Sequence, residues 1–374
     1  MALAGSGRVT LHTQAYPLDR AVDALHDLDA CTVRGRAILV PSFRRPEGGR
    51  GPRIGAMQQV TDVLGEPWTA ETIHFPPDDE GPVAATLVAR RAEAPTTRAV
   101  LYVHGFADYF FQTGFAQWWL DRGYDFYALD LRKYGRSLLP HQTATYAGDL
   151  HEYDADLDSA WHRVTTRDGH DHVVVAAHST GGLITSLWAD MRRPDALRGL
   201  VLNSPWLDLQ GRAWMRSLAA SVMLDHVGRR RPHREIVRRV EGFYTRSLHR
   251  DHEGEWDFDL SHKPLASFAV RAGWLRAIRR GHARLHRGLD IPCPTLVLSS
   301  DRTTWPREMG DEVFTHDIVL DVEQIRRWSP ALGRHLTYIA IPGAVHDVVL
   351  SRQPARDQAY RELARWWAAH VDDG

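Results

Sequence analysis

The segment His172-Val-Val-Val-Ala-Ala-His178-Ser179-Thr180-Gly181-Gly182 constrains this chain more than any other. A run of β-branched and small apolar residues ends in a serine, and a helix pattern over Leu183–Met191 follows almost at once. Turning from strand to helix that sharply strains the backbone at the serine. It also leaves no room for bulk two positions before or after it. Ala177 and Gly181 meet that need, with alanine standing where glycine is commoner. Such a turn exposes the hydroxyl at the strand's C-terminal end, beside a helix N-terminus whose N–H groups stabilise negative charge. The spacing points to Ser179 as a nucleophile.

Strand and helix patterns alternate on both sides of this turn. Strands are predicted at Glu71–Phe75, Val83–Arg90, Ala99–Val103, Tyr124–Leu129, His172–Ala177, Gly199–Leu202, Thr295–Leu298 and Leu336–Ile341. Helices are predicted at Gln112–Arg122, Tyr153–Val164, Leu183–Met191 and Gln358–His370, and residues 205–289 read as mostly helical. The expected fold class is α/β, a mostly parallel central sheet flanked by helices with a helical cap inserted before the last two strands. The expected division is a core of residues 57–204 and 290–374, a cap or lid of 205–289, and a separate segment 1–56. From Arg34 to Ala56 arginine, glycine and proline crowd together, which disfavours a packed core. That segment is therefore expected to be a disordered or loosely packed extension, with Met57 a candidate start of translation.

Composition narrows the function classes. Lysine plus arginine (46) nearly balances aspartate plus glutamate (47), so no global charge argues for nucleic acid or an anionic membrane. Two cysteines, Cys31 and Cys293, cannot build a disulfide framework, and Cys293 reads as a small buried thiol. No basic stretch followed by an apolar one opens the chain. The most apolar run, Val173–Ala189, is interrupted by His178, Ser179 and two glycines. A cytoplasmic location is the expectation. No Gly-rich dinucleotide or phosphate loop is present, and His249, His252 and Glu253 lack metal-ligand spacing, so neither cofactor nor metal is predicted.

Three further segments join the serine turn in a resemblance. Val103-His104-Gly105-Phe106 follows a buried strand, Asp130-Leu-Arg132-Lys133-Tyr134-Gly135-Arg136-Ser137 follows another, and Gly343-Ala-Val-His346-Asp347 follows the last. Over residues 69–370 the chain resembles the α/β-hydrolase superfamily, in particular its lysophospholipase and monoacylglycerol-lipase-like branch with a serine aminopeptidase-type domain. The resemblance implies an oxyanion hole from the backbone N–H groups of Phe106 and Thr180, each donor worth roughly 3–4 kcal/mol of barrier. Tyr134 departs from the histidine common in the Asp130–Ser137 turn, which reads as structural.

A serine hydroxyl needs a neighbouring base with a pKa near 7. Among 21 histidines, His346 lies in a loop between the last strand and the closing helix, where the family keeps its catalytic histidine. The acid should follow the preceding strand and come before the histidine. Asp301, directly after Thr295–Ser300, matches the family position and gives the order Ser179, Asp301, His346. Asp317 and Asp321, in the long segment Thr303–Arg334, compete with it. Asp347 reads as a loop or helix-cap residue.

The cap is basic and aromatic. Residues 228–287 hold fourteen arginines and Lys263 against seven acids, which reads as a solvated helical surface or, alternatively, as an attractor for an anionic substrate. Trp206, Trp214, Phe243, Tyr244, Trp256, Phe258 and Trp274 supply packing or acyl-pocket surface, and Phe110, Phe111 and Phe115 are further pocket candidates. The expected function is a serine hydrolase that cleaves a small-molecule carboxylic ester, such as a lysophospholipid or monoacylglycerol, through an acyl-enzyme on Ser179. Transfer of the same acyl group to an alcohol or amine, or ligand binding without catalysis, are the alternatives. A serine rather than an aspartate at the turn disfavours dehalogenation.

Overall fold

The computed structural model describes residues 13–17, 36–40, 59–210, 218–236 and 241–372. The chain divides into two units, residues 1–58 and 59–374. In the first, strands β1 (Thr13–Pro17) and β2 (Arg36–Val40) pair in parallel. β2 lies inside the stretch whose composition predicts disorder, on its one apolar run, Ala37-Ile38-Leu39-Val40; the Arg/Gly/Pro-rich residues after it lie outside the described residues.

The second unit is built on a nine-stranded sheet. Its strands are β3 (Val60–Thr61), β4 (Thr69–Asp78), β5 (Gly81–Arg90), β6 (Arg98–Val103), β7 (Asp125–Asp130), β8 (His172–His178), β9 (Leu197–Asn203), β10 (Thr295–Ser300) and β11 (Leu336–Ile341). They lie in the order β11-β10-β9-β8-β6-β7-β5-β4-β3. Pairing is parallel from β11 through β7 and antiparallel from β7 through β3. Apart from the edge strand β11, the parallel strands are buried almost throughout, so they read as largely apolar runs rather than as alternations. Within β8, Val173, Val175 and Ala177 join one hydrophobic core and Val174 and Ala176 the other.

Helices cover both faces. One core packs the sheet against α2 (Glu152–His162), α3 (Thr180–Arg192) and α6 (Ala272–Leu285), through Leu157, Leu183, Trp188 and Ile278. The other packs it against α1 (Thr113–Leu120) and α8 (Gln353–His370), through Phe115, Trp119, Leu363 and Trp366. Phe110 and Phe115 belong to this second core. Phe110 packs on Trp68, Tyr102 and Phe126, and Phe115 on Tyr102, Trp119 and Phe126, so neither lines a pocket as expected.

Between β9 and β10 the described elements are α4 (Leu218–Arg230), α5 (Phe243–Leu248) and α6, with isolated bridges but no strand among the described residues. The long segment Thr303–Arg334 contains α7 (Val322–Trp328), whose first turn is capped by the Asp321 carboxylate accepting from Glu323 N–H. The other Asp321 carboxylate oxygen accepts from Gln324 Nε2 (3.4 Å). Cys293 is buried, and burial pushes its thiol up to about 12, as suits an inert core residue.

The strand order positions the site. The chain leaves β6 to one side for β7 and returns to its other side for β8, so the sheet reverses direction at β6, where clefts form at the strands' C-terminal ends. Val103 at the end of β6 is in register with Ala177 near the end of β8. The loops that follow, one beginning His104-Gly105 and the other at Ser179, therefore start side by side.

Candidate active site

Ser179 stands between β8 and α3 with φ 53° and ψ −117°, a conformation that L residues rarely adopt. Its N–H donates to the Asn203 carbonyl (3.0 Å), and its carbonyl accepts from the N–H groups of Gly182 (3.0 Å) and Trp206 (2.9 Å). The small neighbours are obligatory. A β-carbon at Gly181 would lie 2.4 Å from the His104 carbonyl oxygen, and one at Gly182 would lie 2.7 Å from Pro205 Cβ. Gly105 presses on the serine itself, since a β-carbon there would fall 2.9 Å from Ser179 Cβ. The backbone leading to Phe106 thus runs directly against the serine side chain. Thr180 opens α3 with no side-chain cap, so its N–H is the kind of donor that a developing anion would use.

The loop after β6 is held by buried polar groups. His104 donates from Nδ1 to the Gly105 carbonyl (2.8 Å) and accepts at Nε2 from Leu131 N–H (3.0 Å). Burial lowers its pKa, which keeps that neutral tautomer. Asp130, fully buried, accepts from Phe110 N–H and from the Arg136 backbone and guanidinium. The Asp130–Ser137 turn is structural, as read from the sequence: it braces the loop that carries Phe106.

His346 is buried, and its Nδ1 lies 2.8 Å from Asp317 Oδ2. A carboxylate only accepts, so the proton is on Nδ1 and Nε2 keeps its lone pair. Burial lowers the His346 pKa, outweighing the opposing pull of Asp317. The His346 ring centroid is 4.8 Å from that of His178, the residue before Ser179, and 5.6 Å from that of Tyr244 on α5.

The expectation that Asp301 orients His346 is corrected. Asp301 accepts from Gly343 N–H (3.3 Å) and pairs with Arg302 (3.0 Å), bracing the turn before the histidine. The chain after it runs out, returns and bridges Thr303 to Asp317, with Asp317 N–H donating to the Arg302 carbonyl (3.0 Å). This brings a residue 16 positions later into the place beside the strand end. The other oxygen of Asp317 accepts from Val319 and Leu320 N–H (2.8 Å each), which aims the carboxylate at His346. The signal for this was an aspartate followed by an apolar Val319-Leu320 pair inside a long segment, too weak to outweigh position directly after a strand.

A second buried set, unremarked in the sequence, surrounds the serine. His178 Nδ1 is 3.2 Å from Asp108 Oδ2, and Asp108 Oδ1 accepts from Lys263 Nζ (2.9 Å). Burial alone would raise the Asp108 pKa, but Lys263 and His178 hold it well below the usual carboxylate range. Lys263 thereby ties the segment between β9 and β10 to the loop after β6. Two aromatic contacts do the same, Phe111 on Phe258 (4.6 Å) and Phe106 on Trp274 (4.3 Å), and Trp206 packs on Trp274 (5.8 Å). Phe111 therefore meets the segment between β9 and β10, and Trp206 packs within that segment.

Other candidates resolve simply. His249 donates from Nε2 to the Phe258 carbonyl and accepts at Nδ1 from Asp251 N–H, so both ring nitrogens are engaged by backbone groups. Among the described residues, eight arginines of the 228–287 stretch form ion pairs, and four of the partner acids, Asp149, Asp190, Asp208 and Asp225, lie outside that stretch, which halves the local excess. A cavity of about 310 Å³ is lined by Leu248 and Trp256 of the cap, Phe314, and Val345 and Leu350 of the histidine loop. Ser179 does not line it. Among the described residues, no helix is long and apolar enough to cross a membrane.

The fold agrees with solved structures. A monoglyceride lipase from Saccharomyces cerevisiae, in complex with a substrate analogue, superposes with TM-score 0.59 at 14% identity, over 81% of this chain and 96% of that one. A monoacylglycerol lipase from Paleococcus ferrophilus gives 0.57 at 18% identity, over 76% and 99%. A thermophilic esterase from Thermogutta terrifontis gives 0.51 at 17%, over 81% and 100%. No curated protein sequence matches the chain. Residues 94–353 match the family model described as serine aminopeptidase, S33, and the chain belongs to that family of α/β-hydrolases.

Proposed function

We propose that this chain is a serine esterase that cleaves a carboxylic ester through an acyl-enzyme. His346 Nε2 takes the Ser179 proton as the hydroxyl attacks the ester carbonyl, and Asp317 holds the ring and stabilises the imidazolium. The backbone N–H groups of Phe106 and Thr180 receive the oxygen as it becomes an anion. The proton passes to the leaving alcohol, and water, activated by the same histidine, releases the acid. The observation that carries this reading is the 2.8 Å Asp317–His346 bond, with the His346 ring packed at a tilt against His178, the residue that precedes a strained serine.

The substrate class proposed is a monoacylglycerol, lysophospholipid or similar acyl ester. It rests on the motifs of the serine turn and the His104-Gly105-Phe106 loop, and on likeness in fold to two monoacylglycerol lipases. Ser179 is 6% exposed and His346 2%, so the proposed reacting groups are largely shielded from water.

Labelling with a fluorophosphonate probe, mapped to a peptide, tests the reading. Wild type is expected to label at Ser179, and Ser179→Ala not at all. A panel of esters of graded chain length, with and without a competing alcohol, then separates hydrolysis from acyl transfer. Folded wild-type protein that resists the probe would overturn the proposal in favour of a binding protein.

A further inference from the structure

Asp347, next to the histidine, caps the short helical turn Val348–Leu350 by accepting from Val349 N–H (3.3 Å), as a cap residue should. It does more than that. Its Oδ1 accepts from Asn203 Nδ2 at 2.6 Å and its Oδ2 from Gln112 Nε2 at 3.2 Å. The side chain is 1% exposed, and among the described residues no cation pairs with it. Its backbone N–H donates to the Tyr244 hydroxyl (3.1 Å).

The polarity of this network admits only a carboxylate. Asn203 Oδ1 accepts from Val348 N–H (3.0 Å) and Gln112 Oε1 accepts from Phe111 N–H (3.0 Å). Those two backbone donors fix the amide orientations, so both amide nitrogens must point at position 347. An acceptor with two oxygens satisfies them; an amide at that position would set one N–H against another.

Each partner belongs to a different part of the site. Asn203 ends β9, and its carbonyl receives the Ser179 N–H. Gln112 closes the loop that carries Phe106. Asp347 is joined by one peptide bond to His346.

We propose that Asn203, Asp347 and Gln112 form a positioning clasp that holds the His346 loop in register with both Ser179 and the Phe106 loop. We further propose that the Asp347 carboxylate is a second negative charge, besides Asp317, supporting the imidazolium that forms at His346. The proposal rests on the esterase reading for its catalytic consequence, but its electrostatic half does not depend on catalysis. A buried carboxylate without a counter-cation acts strongly on its neighbours. The groups that face His346 are Asp317, His178 with Asp108 and Lys263 behind it, Tyr244 and Asp347. Tyr102 and Tyr244 are buried near Asp347, and their phenols are pushed well up, by burial first and by this carboxylate next.

The test reads the His346 ring by NMR titration, alongside the pH dependence of fluorophosphonate labelling, in wild type and Asp347→Asn. Removing the charge is expected to lower the His346 midpoint by about one pH unit and to move the acid limb of labelling down with it. The misaligned loop is expected to cut the labelling plateau roughly tenfold. Adding Gln112→Glu to Asp347→Asn lets a carboxylate again meet an amide, and the plateau should recover several-fold. The midpoint should stay below wild type, because the charge now lies one hydrogen bond farther from the histidine loop. If the single variant does not fold, the double variant carries the same midpoint test. A His346 midpoint equal to wild type, with a plateau within twofold, overturns the clasp. Failure of wild type to label at all would instead sink the esterase reading, and the ring titration would still decide the electrostatic claim.

Discussion

The two sides of the site are held by different forces. The nucleophile side is steric: Ser179 sits between two regular elements, and Gly105, Gly181 and Gly182 each leave room that a single β-carbon would close. The acid side is polar. Asp317 comes from an extended excursion between strands and is aimed by two backbone N–H groups and the bridge to Thr303. Asp301 and Asp347 hold the neighbouring turns in the same manner, through hydrogen bonds. A steric constraint fails when volume is added, and a polar one fails when charge or donor pattern changes while volume stays the same. The difference predicts which substitutions each side tolerates.

The largest effect should come from an isosteric change on the polar side. Asp317→Asn keeps volume but offers an amide to His346 Nδ1 and favours the wrong tautomer. A loss of turnover on the order of 10³–10⁴-fold is expected, with an unchanged melting profile to within a few degrees. Asp301→Asn, which touches only Gly343 N–H and Arg302, should cost less than about fivefold, in line with a partly exposed bracing contact. Ester turnover by the two variants under one condition makes the comparison. Equal losses would mean that the acid is shared or wrongly assigned.

The next effect is steric. Gly181→Ala pushes a methyl to within 2.4 Å of the His104 carbonyl oxygen and 2.7 Å of that of Val103, both backbone atoms that cannot swing away. Destabilisation of at least about 2 kcal/mol is expected, read as a lowered denaturant midpoint, together with loss of labelling as the Phe106 loop is displaced. Gly114, in α1 with nothing within 4 Å of its would-be β-carbon, is the matched control. There alanine should be neutral or stabilise by a few tenths to about 1 kcal/mol. A folded, reactive Gly181→Ala would break the distinction between the two sides.

The same distinction explains what was legible in the sequence. A steric turn is coded locally: strand, small residue, serine, small residue and helix lie within eleven positions and could be read directly, as could the alternation that makes the sheet. The position of His346 near the serine turn was readable because it too follows a strand end. Asp317 was not, because its place depends on a chain excursion that returns to β10, and neither the bridge to Thr303 nor helix α7 has a strong local pattern. Phe110 was misjudged for a related reason. Proximity in sequence to the Phe106 loop suggested a pocket, but the ring turns into the core between Trp68 and Phe126. The Lys263–Asp108–His178 set links segments up to 155 positions apart, and no local spacing announces it.

One polar dependence does exist on the steric side, and it sharpens the comparison. Trp206 N–H holds the Ser179 carbonyl, and the Trp206 carbonyl in turn accepts from His282 Nε2 at 2.9 Å. His282 is fully buried on α6, and its Nδ1 has no partner among the described residues. Burial pushes its pKa down to about 3, so the folded chain keeps it neutral, whereas the unfolded chain protonates it near 6.5. Below 6.5 the unfolded state therefore binds the extra proton, and stability falls with pH until about 3, where the folded state takes it up as well. Above 6.5 this histidine contributes no pH dependence. The melting temperature of wild type is expected to drop by a few degrees more between pH 6.5 and 5 than that of His282→Gln, whose amide can still donate but does not titrate. Identical slopes would show that the histidine finds a solvated position and that the support behind Ser179 is steric throughout.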